Sequence, residues 1–212
     1  MKQHDELVGD DSHFVPGQGT YEYLLVANPD NEIGTRVMAE KQSFSQRYKE
    51  SIAVKTRPHI TVVNWLADEC MEKNIARFIQ MICNRRQSFQ VVLHNFGGFP
   101  RHTLFVRVQN PGPFQGLVKE LRVIDGYVRM CGFPAARLIS NPHLTIARRL
   151  DKDVYAKAMV DFAQHEFHGS FVVQNLVLLK RKNQFDRCEK INVFSFKPGV
   201  LSQSYSSQLY IF

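Results

Sequence analysis

The chain has 212 residues, 44% of them hydrophobic and 22% charged, with 16 Phe and 7 Tyr. That is enough apolar surface for one core of ordinary domain size, and it excludes a disordered chain. No apolar run approaches a membrane-spanning length, and the opening Met1-Lys2-Gln3-His4-Asp5-Glu6 lacks the apolar stretch of a secretory signal, so a cytoplasmic protein without membrane association is expected.

Residues 1–19 are polar and end in Pro16-Gly17-Gln18-Gly19, which predicts a loose arm. Tyr21–Ala27 reads as a strand stopped by Asn28-Pro29, and Ile33, Val37, Phe44 and Tyr48 recur at helical spacing over 31–49. Ile60–Trp65 reads as a strand and Met71–Asn84 as a second amphipathic helix. Phe89–Leu93 and Leu104–Val108 read as strands flanking a glycine-rich loop, Asn95-Phe96-Gly97-Gly98-Phe99-Pro100. The pattern then recurs: a helix over 114–128, a short strand over 144–147, a helix over 154–165, a long strand over 171–179 and a last one over 191–196. His59 and His143 lie 84 residues apart and the strand starts Phe89 and Phe171 lie 82 apart, so the chain reads as a two-fold repeat. The expected organisation is a bilobal α+β domain over 20–197, with pseudo-repeats at about 20–103 and 104–197, and a tail over 198–212.

The net charge of +7 suits a polyanionic partner such as RNA or a nucleotide. Cys70, Cys83, Cys131 and Cys188 form no C-x-x-C pair and lack histidines at zinc-finger spacing, so they read as reduced thiols. There is no H-E-x-x-H, no carboxylate cluster at coordination spacing and no G-x-x-x-x-G-K-[ST] loop, so neither a metal-dependent phosphatase nor a Walker-type ATP-dependent ligase is supported.

Two segments carry chemistry. Pro58-His59-Ile60-Thr61-Val62 is echoed by Pro142-His143-Leu144-Thr145-Ile146. On a strand, His and Thr two residues apart share a face about 6.6 Å apart, while the apolar residues between and after them anchor the other face. A bare H-x-[ST] is a weak signal, and the third match, His168-Gly169-Ser170, has neither the Pro nor the apolar anchor and reads as a turn into the strand at Phe171. The full Pro-His-apolar-Thr frame twice, at equivalent places in a repeat, is a strong one. Two imidazoles across a cleft can serve as base and acid on opposite sides of a phosphorus, and the adjacent hydroxyls can donate to its non-bridging oxygens.

These motifs, with the 95–99 loop, Ala147-Arg148 and the final strand pair, resemble the 2H phosphoesterase superfamily, specifically its bacterial 2′-5′ RNA ligase or RNA 2′,3′-cyclic phosphodiesterase branch, over about residues 20–197. The resemblance implies two antiparallel sheets facing a central cleft with helices outside, no cofactor or metal, and His59, Thr61, His143 and Thr145 as the catalytic set. It also implies an aromatic near the loop containing Phe185. The expected function is opening of 2′,3′-cyclic phosphates on RNA ends or nucleotides, or the reverse 2′-5′ ligation, by a monomer. The alternative is a non-catalytic RNA or nucleotide binding module using the same cleft.

Further substrate contacts are expected from Phe96 and Phe99 as stacking platforms, from Arg101 with His102, and from Lys180 in the run Lys180-Arg181-Lys182 with Arg187. Arg85-Arg86 is a further basic pair. Strand alternation would turn Arg148 away from Thr145, so Arg148 reaches a phosphate only if the strand bends between them.

Overall fold

The computed structural model describes residues 17, 19–51, 53–100, 102–183 and 186–199. The expected terminal arm and tail fall almost wholly outside these residues, as do Arg101 and Phe185. Nine strands and four helices alternate along the described chain: β1 (Thr20–Ala27), α1 (Asn31–Tyr48), β2 (Ile60–Asp68), α2 (Glu72–Cys83), β3 (Phe89–Phe99), β4 (Thr103–Val108), α3 (Gly112–Met130), β5 (Arg137–Leu138), β6 (His143–Arg148), α4 (Lys152–Phe162), β7 (His168–Val173), β8 (Asn175–Arg181) and β9 (Glu189–Ser195). They form two antiparallel sheets, ordered β5-β2-β1-β8-β9 and β6-β4-β3-β7. The expected α+β class and paired sheets are what is found.

Local chemistry explains most boundaries. Asp30 Oδ1 accepts the Ile33 amide at 2.9 Å and starts α1, and Lys49, in the left-handed region at φ 58, ends it. The buried stripe of α1 is Ile33, Val37, Lys41 and Phe44, and that of α3 is Phe114, Leu117, Leu121, Ile124 and Val128. Helices α1 and α4 pack on the four-stranded sheet, while α3 packs on β2 and β5 and α2 lies against α3 and β9. One main core joins both sheets to these helices. Among the described residues no helix is long and apolar enough to cross a membrane.

Three expectations change. The glycine-rich segment is strand: β3 continues to Phe99 after an irregularity between Leu93 and Phe96, where Asn95 (φ 53) pairs with Phe167. Gly97 and Gly98 serve close approach instead of a turn. A Cβ on Gly97 would lie 2.5 Å from Arg107 Nε and 3.0 Å from Phe105, and one on Gly98 would lie 2.5 Å from the Tyr155 hydroxyl and 2.6 Å from Met159 Sδ. The single long strand over 171–179 is two strands in different sheets, broken at Gln174. His168-Gly169-Ser170 is not a turn but the start of β7. In space β1 and β2 share a sheet with β5, β8 and β9, and β3 and β4 share one with β6 and β7. Each sheet therefore draws on both halves of the chain.

Candidate active site

His59 immediately precedes β2 and His143 opens β6, on strands that approach one another where the two sheets meet. His59 Nδ1 lies 2.8 Å from the carbonyl oxygen of Arg57, and His143 Nδ1 lies 2.7 Å from that of Asn141. A carbonyl only accepts, so each Nδ1 carries the hydrogen and each Nε2 is left with its lone pair for other work. The two motifs thus hold their imidazoles by the same bond to the residue two positions earlier.

The symmetry extends further. Along β2, Thr61 lies opposite Val26 and Val63 opposite Leu25, so Val62 is an extra residue. Along β6, Thr145 lies opposite Phe105 and Ala147 opposite Leu104, so Ile146 is extra. Each motif is followed by a β-bulge that buries two consecutive apolar residues, Val62-Val63 and Ile146-Ala147. The bulge resets the alternation by one residue. Asn64 returns to the face of Thr61, and Arg148, opposite Thr103, returns to the face of Thr145 and His143. This is the bend that Arg148 requires.

Charge gathers there. Burial is the main cause holding His59 below the ordinary histidine range, with Lys41, Arg148 and His143 adding to it against the opposing bond to Arg57. His143 is also held low by burial, opposed by its bond to Asn141. Burial is the main cause holding the Arg148 guanidinium below its ordinary range, with Arg181 and Arg149 adding to it and Glu22 opposing. Glu22 accepts from Arg181 Nε at 2.7 Å and from Asn64 Nδ2 at 3.4 Å. Leu24, Val26 and Val177 form a small apolar cluster on the Thr61 face of the five-stranded sheet, separate from the main core. Among the described residues no group of three or more His, Cys, Asp or Glu is arranged to hold a metal.

The other expected contacts divide by strand parity. Phe99 shares its face with Phe105, and both rings lie 4.9 Å from the His143 ring. Phe96 points the other way, is 7% exposed and packs its ring against Phe162 and Phe167, so it is a core residue and not a stacking platform. Lys180 lies opposite Tyr23, on the face away from Thr61, where Glu69 and Glu72 hold its ammonium at 2.7 and 3.2 Å. It is a structural ion pair, and its neighbour Arg181, opposite Glu22, takes the Thr61 face. Arg86 is bonded to Glu120, and His102 Nδ1 lies 2.6 Å from Thr103 Oγ1.

Sequence reasoning passed over Lys41. Its side chain is 2% exposed, and Nζ donates to Thr56 Oγ1 at 3.1 Å and to the Thr145 carbonyl at 3.5 Å. Burial, with help from Arg148, pushes its pKa down to about 8. The signal was a lysine standing on the apolar stripe of α1.

The family model of the 2′-5′ RNA ligase superfamily matches residues 29–184. The chain belongs to this superfamily. Its LigT-like, 2H phosphoesterase membership agrees with the duplicated His-Thr frame, and it is an enzyme of the phosphoesterase or ligase kind. No curated protein matches the chain. Among solved structures, one described as a phosphoesterase superposes with a TM-score of 0.59 at 14% identity, covering 84% of this chain and 98% of its own. E. coli LigT in its apo form gives 0.57 at 13% identity, and its complex with 3′-AMP gives 0.56 at 13%, each with the same coverage. At these identities the likeness is one of fold, and the superfamily member described here shares it over nearly the whole of those chains.

Proposed function

We propose that the protein is a two-histidine phosphodiesterase that opens 2′,3′-cyclic phosphates at RNA ends or on nucleotides, and that the same site can run the reverse 2′-5′ ligation. The observation that carries this reading is the pair of matched frames, each with His Nδ1 bonded to a carbonyl, Thr on the same face and a bulge behind it.

In the opening direction a neutral imidazole takes a proton from water through Nε2 as the water oxygen bonds to phosphorus. The bond from phosphorus to one ribose oxygen breaks, and the protonated imidazole on the other side gives that oxygen its proton. A phosphate monoester remains, and the two histidines have exchanged protonation states, which solvent resets. Thr61 and Thr145 donate to the non-bridging oxygens, and Arg148, aligned by its bulge, adds a positive charge facing them. Phe99 walls the His143 imidazole. The complex of E. coli LigT with 3′-AMP supports a nucleotide ligand, since a nucleoside 3′-phosphate is one of the two products such opening can give.

The test is release of nucleoside monophosphate from a 2′,3′-cyclic nucleotide and from a short RNA with a cyclic end, in the presence of EDTA. Activity should survive chelation and fall about 10²- to 10⁴-fold in His59→Ala and in His143→Ala, with thermal unfolding still cooperative. Salt-sensitive RNA binding without turnover would replace this reading by that of a binding module.

A further inference from the structure

We propose that Lys41 is a positioning residue of the two-histidine site: its buried ammonium clamps β6 to the turn that precedes β2. This rests on the reading of the two His-Thr frames as one site.

The geometry is specific. Thr56 stands three residues before His59, and Thr145 stands two residues after His143. Lys41 Nζ bonds to the hydroxyl of the first and the carbonyl of the second. A single group on α1 therefore joins the entry of one motif to the strand of the other. The strands β2 and β6 belong to different sheets, so no ladder hydrogen bonds hold them in register. Among the described residues no carboxylate is a partner of Lys41. An ammonium buried to this degree without one is costly, and a leucine or methionine would fill the same stripe more cheaply. The related helix does that: aligning Val37, Lys41 and Phe44 of α1 with Leu117, Leu121 and Ile124 of α3 puts Leu121, fully buried, where Lys41 stands.

The lysine thus has no counterpart on the related helix. The groups facing His59 are Lys41 from α1 and Arg148 and His143 from β6, with the Arg57 carbonyl bonded to its Nδ1. Lys41 adds to the burial that disfavours the imidazolium at His59.

Two charge-removing variants separate the clamp from the field. Lys41→Gln keeps a donor toward Thr56 and Thr145, and Lys41→Met keeps only the volume. Histidine ring signals, assigned by their loss in His59→Ala and His143→Ala, are titrated by NMR alongside turnover of a 2′,3′-cyclic nucleotide. In both variants the His59 midpoint should rise. Turnover should fall about 10- to 100-fold in Lys41→Met and less in Lys41→Gln. Unchanged His59 titration in both variants would overturn the proposal, as would wild-type turnover in both. Because the titration needs no substrate, a wild-type protein inactive on cyclic phosphates would reject the functional reading and leave the effect of Lys41 on His59 still measured.

Discussion

Replacing Lys41 by Met should make the protein more stable, although it damages the site. The native environment pushes the lysine from 10.5 down to about 8, and each unit is worth about 1.4 kcal/mol, so keeping the ammonium charged at pH 7 costs the fold about 3 kcal/mol. Removing it forfeits the charged bond to Thr56 and the longer one to the Thr145 carbonyl, together worth about 2 kcal/mol. The net gain is about 1 kcal/mol, or about 2–4 °C in Tm for a chain of this size. The cost is fully present below pH 8, where folded and unfolded chains both carry the proton. It fades between about 8 and 10.5, where the folded lysine has lost the proton and the unfolded one still holds it. Urea unfolding of wild type and Lys41→Met at pH 7 and pH 9.5 measures this, with the advantage of the variant shrinking at the higher pH. A variant less stable than wild type at pH 7, or a difference independent of pH, would refute the reasoning that the ammonium is held there against its solvation.

Since both histidines are held below 6.5, kcat/KM for a cyclic nucleotide should peak on the acid side of 6.5, losing the base below the lower midpoint and the acid above the higher one. The same depression makes unfolding easier as pH drops below 6.5, because the unfolded histidines take protons first. Arg148→Ala should reduce kcat/KM by about 10²-fold or more, whereas Lys180→Ala should leave kcat/KM near wild type and lower Tm, since Lys180 answers Glu69 and Glu72 on the opposite face. Gly98→Ala should cost about 1–3 kcal/mol in urea unfolding, because its methyl meets Tyr155 and Met159 on α4.

The parts of the fold that follow from local pattern were legible. The stripe of Ile33, Val37 and Phe44 marks α1, and the Pro-His-apolar-Thr frames mark the strands and their exposed face. What the sequence concealed depends on partners distant in the chain. Gly97-Gly98 has the composition of a loop and becomes strand because Phe105, Arg107, Tyr155 and Met159 need the room. Read as strand, the segment separates Phe96 from Phe99 by parity. The bulges left a trace in the adjacent apolar pairs Val62-Val63 and Ile146-Ala147, yet only strand pairing turns that trace into a position for Arg148. The break at Gln174 interrupts an otherwise continuous apolar run, and a run of that kind does not reveal that its ends lie in different sheets. Lys180 belonged to a basic run that looked like an RNA path, but the carboxylates that neutralise it come from the turn and helix more than a hundred residues earlier.

The interleaving of the sheets bears on how the molecule comes into being on the ribosome. Both histidine motifs have been synthesised once Arg148 is made, but the sheet beneath His59 still lacks β8 and β9, which run to Ser195. Until those strands arrive, β1 offers a bare edge where β8 will pair, and the Leu24 and Val26 side chains have no Val177 to meet. A chain cut between residues 103 and 104 would yield two fragments, neither holding a complete sheet. The site therefore forms late, by long-range pairing, and folding should be slow compared with that of a helical protein of the same length.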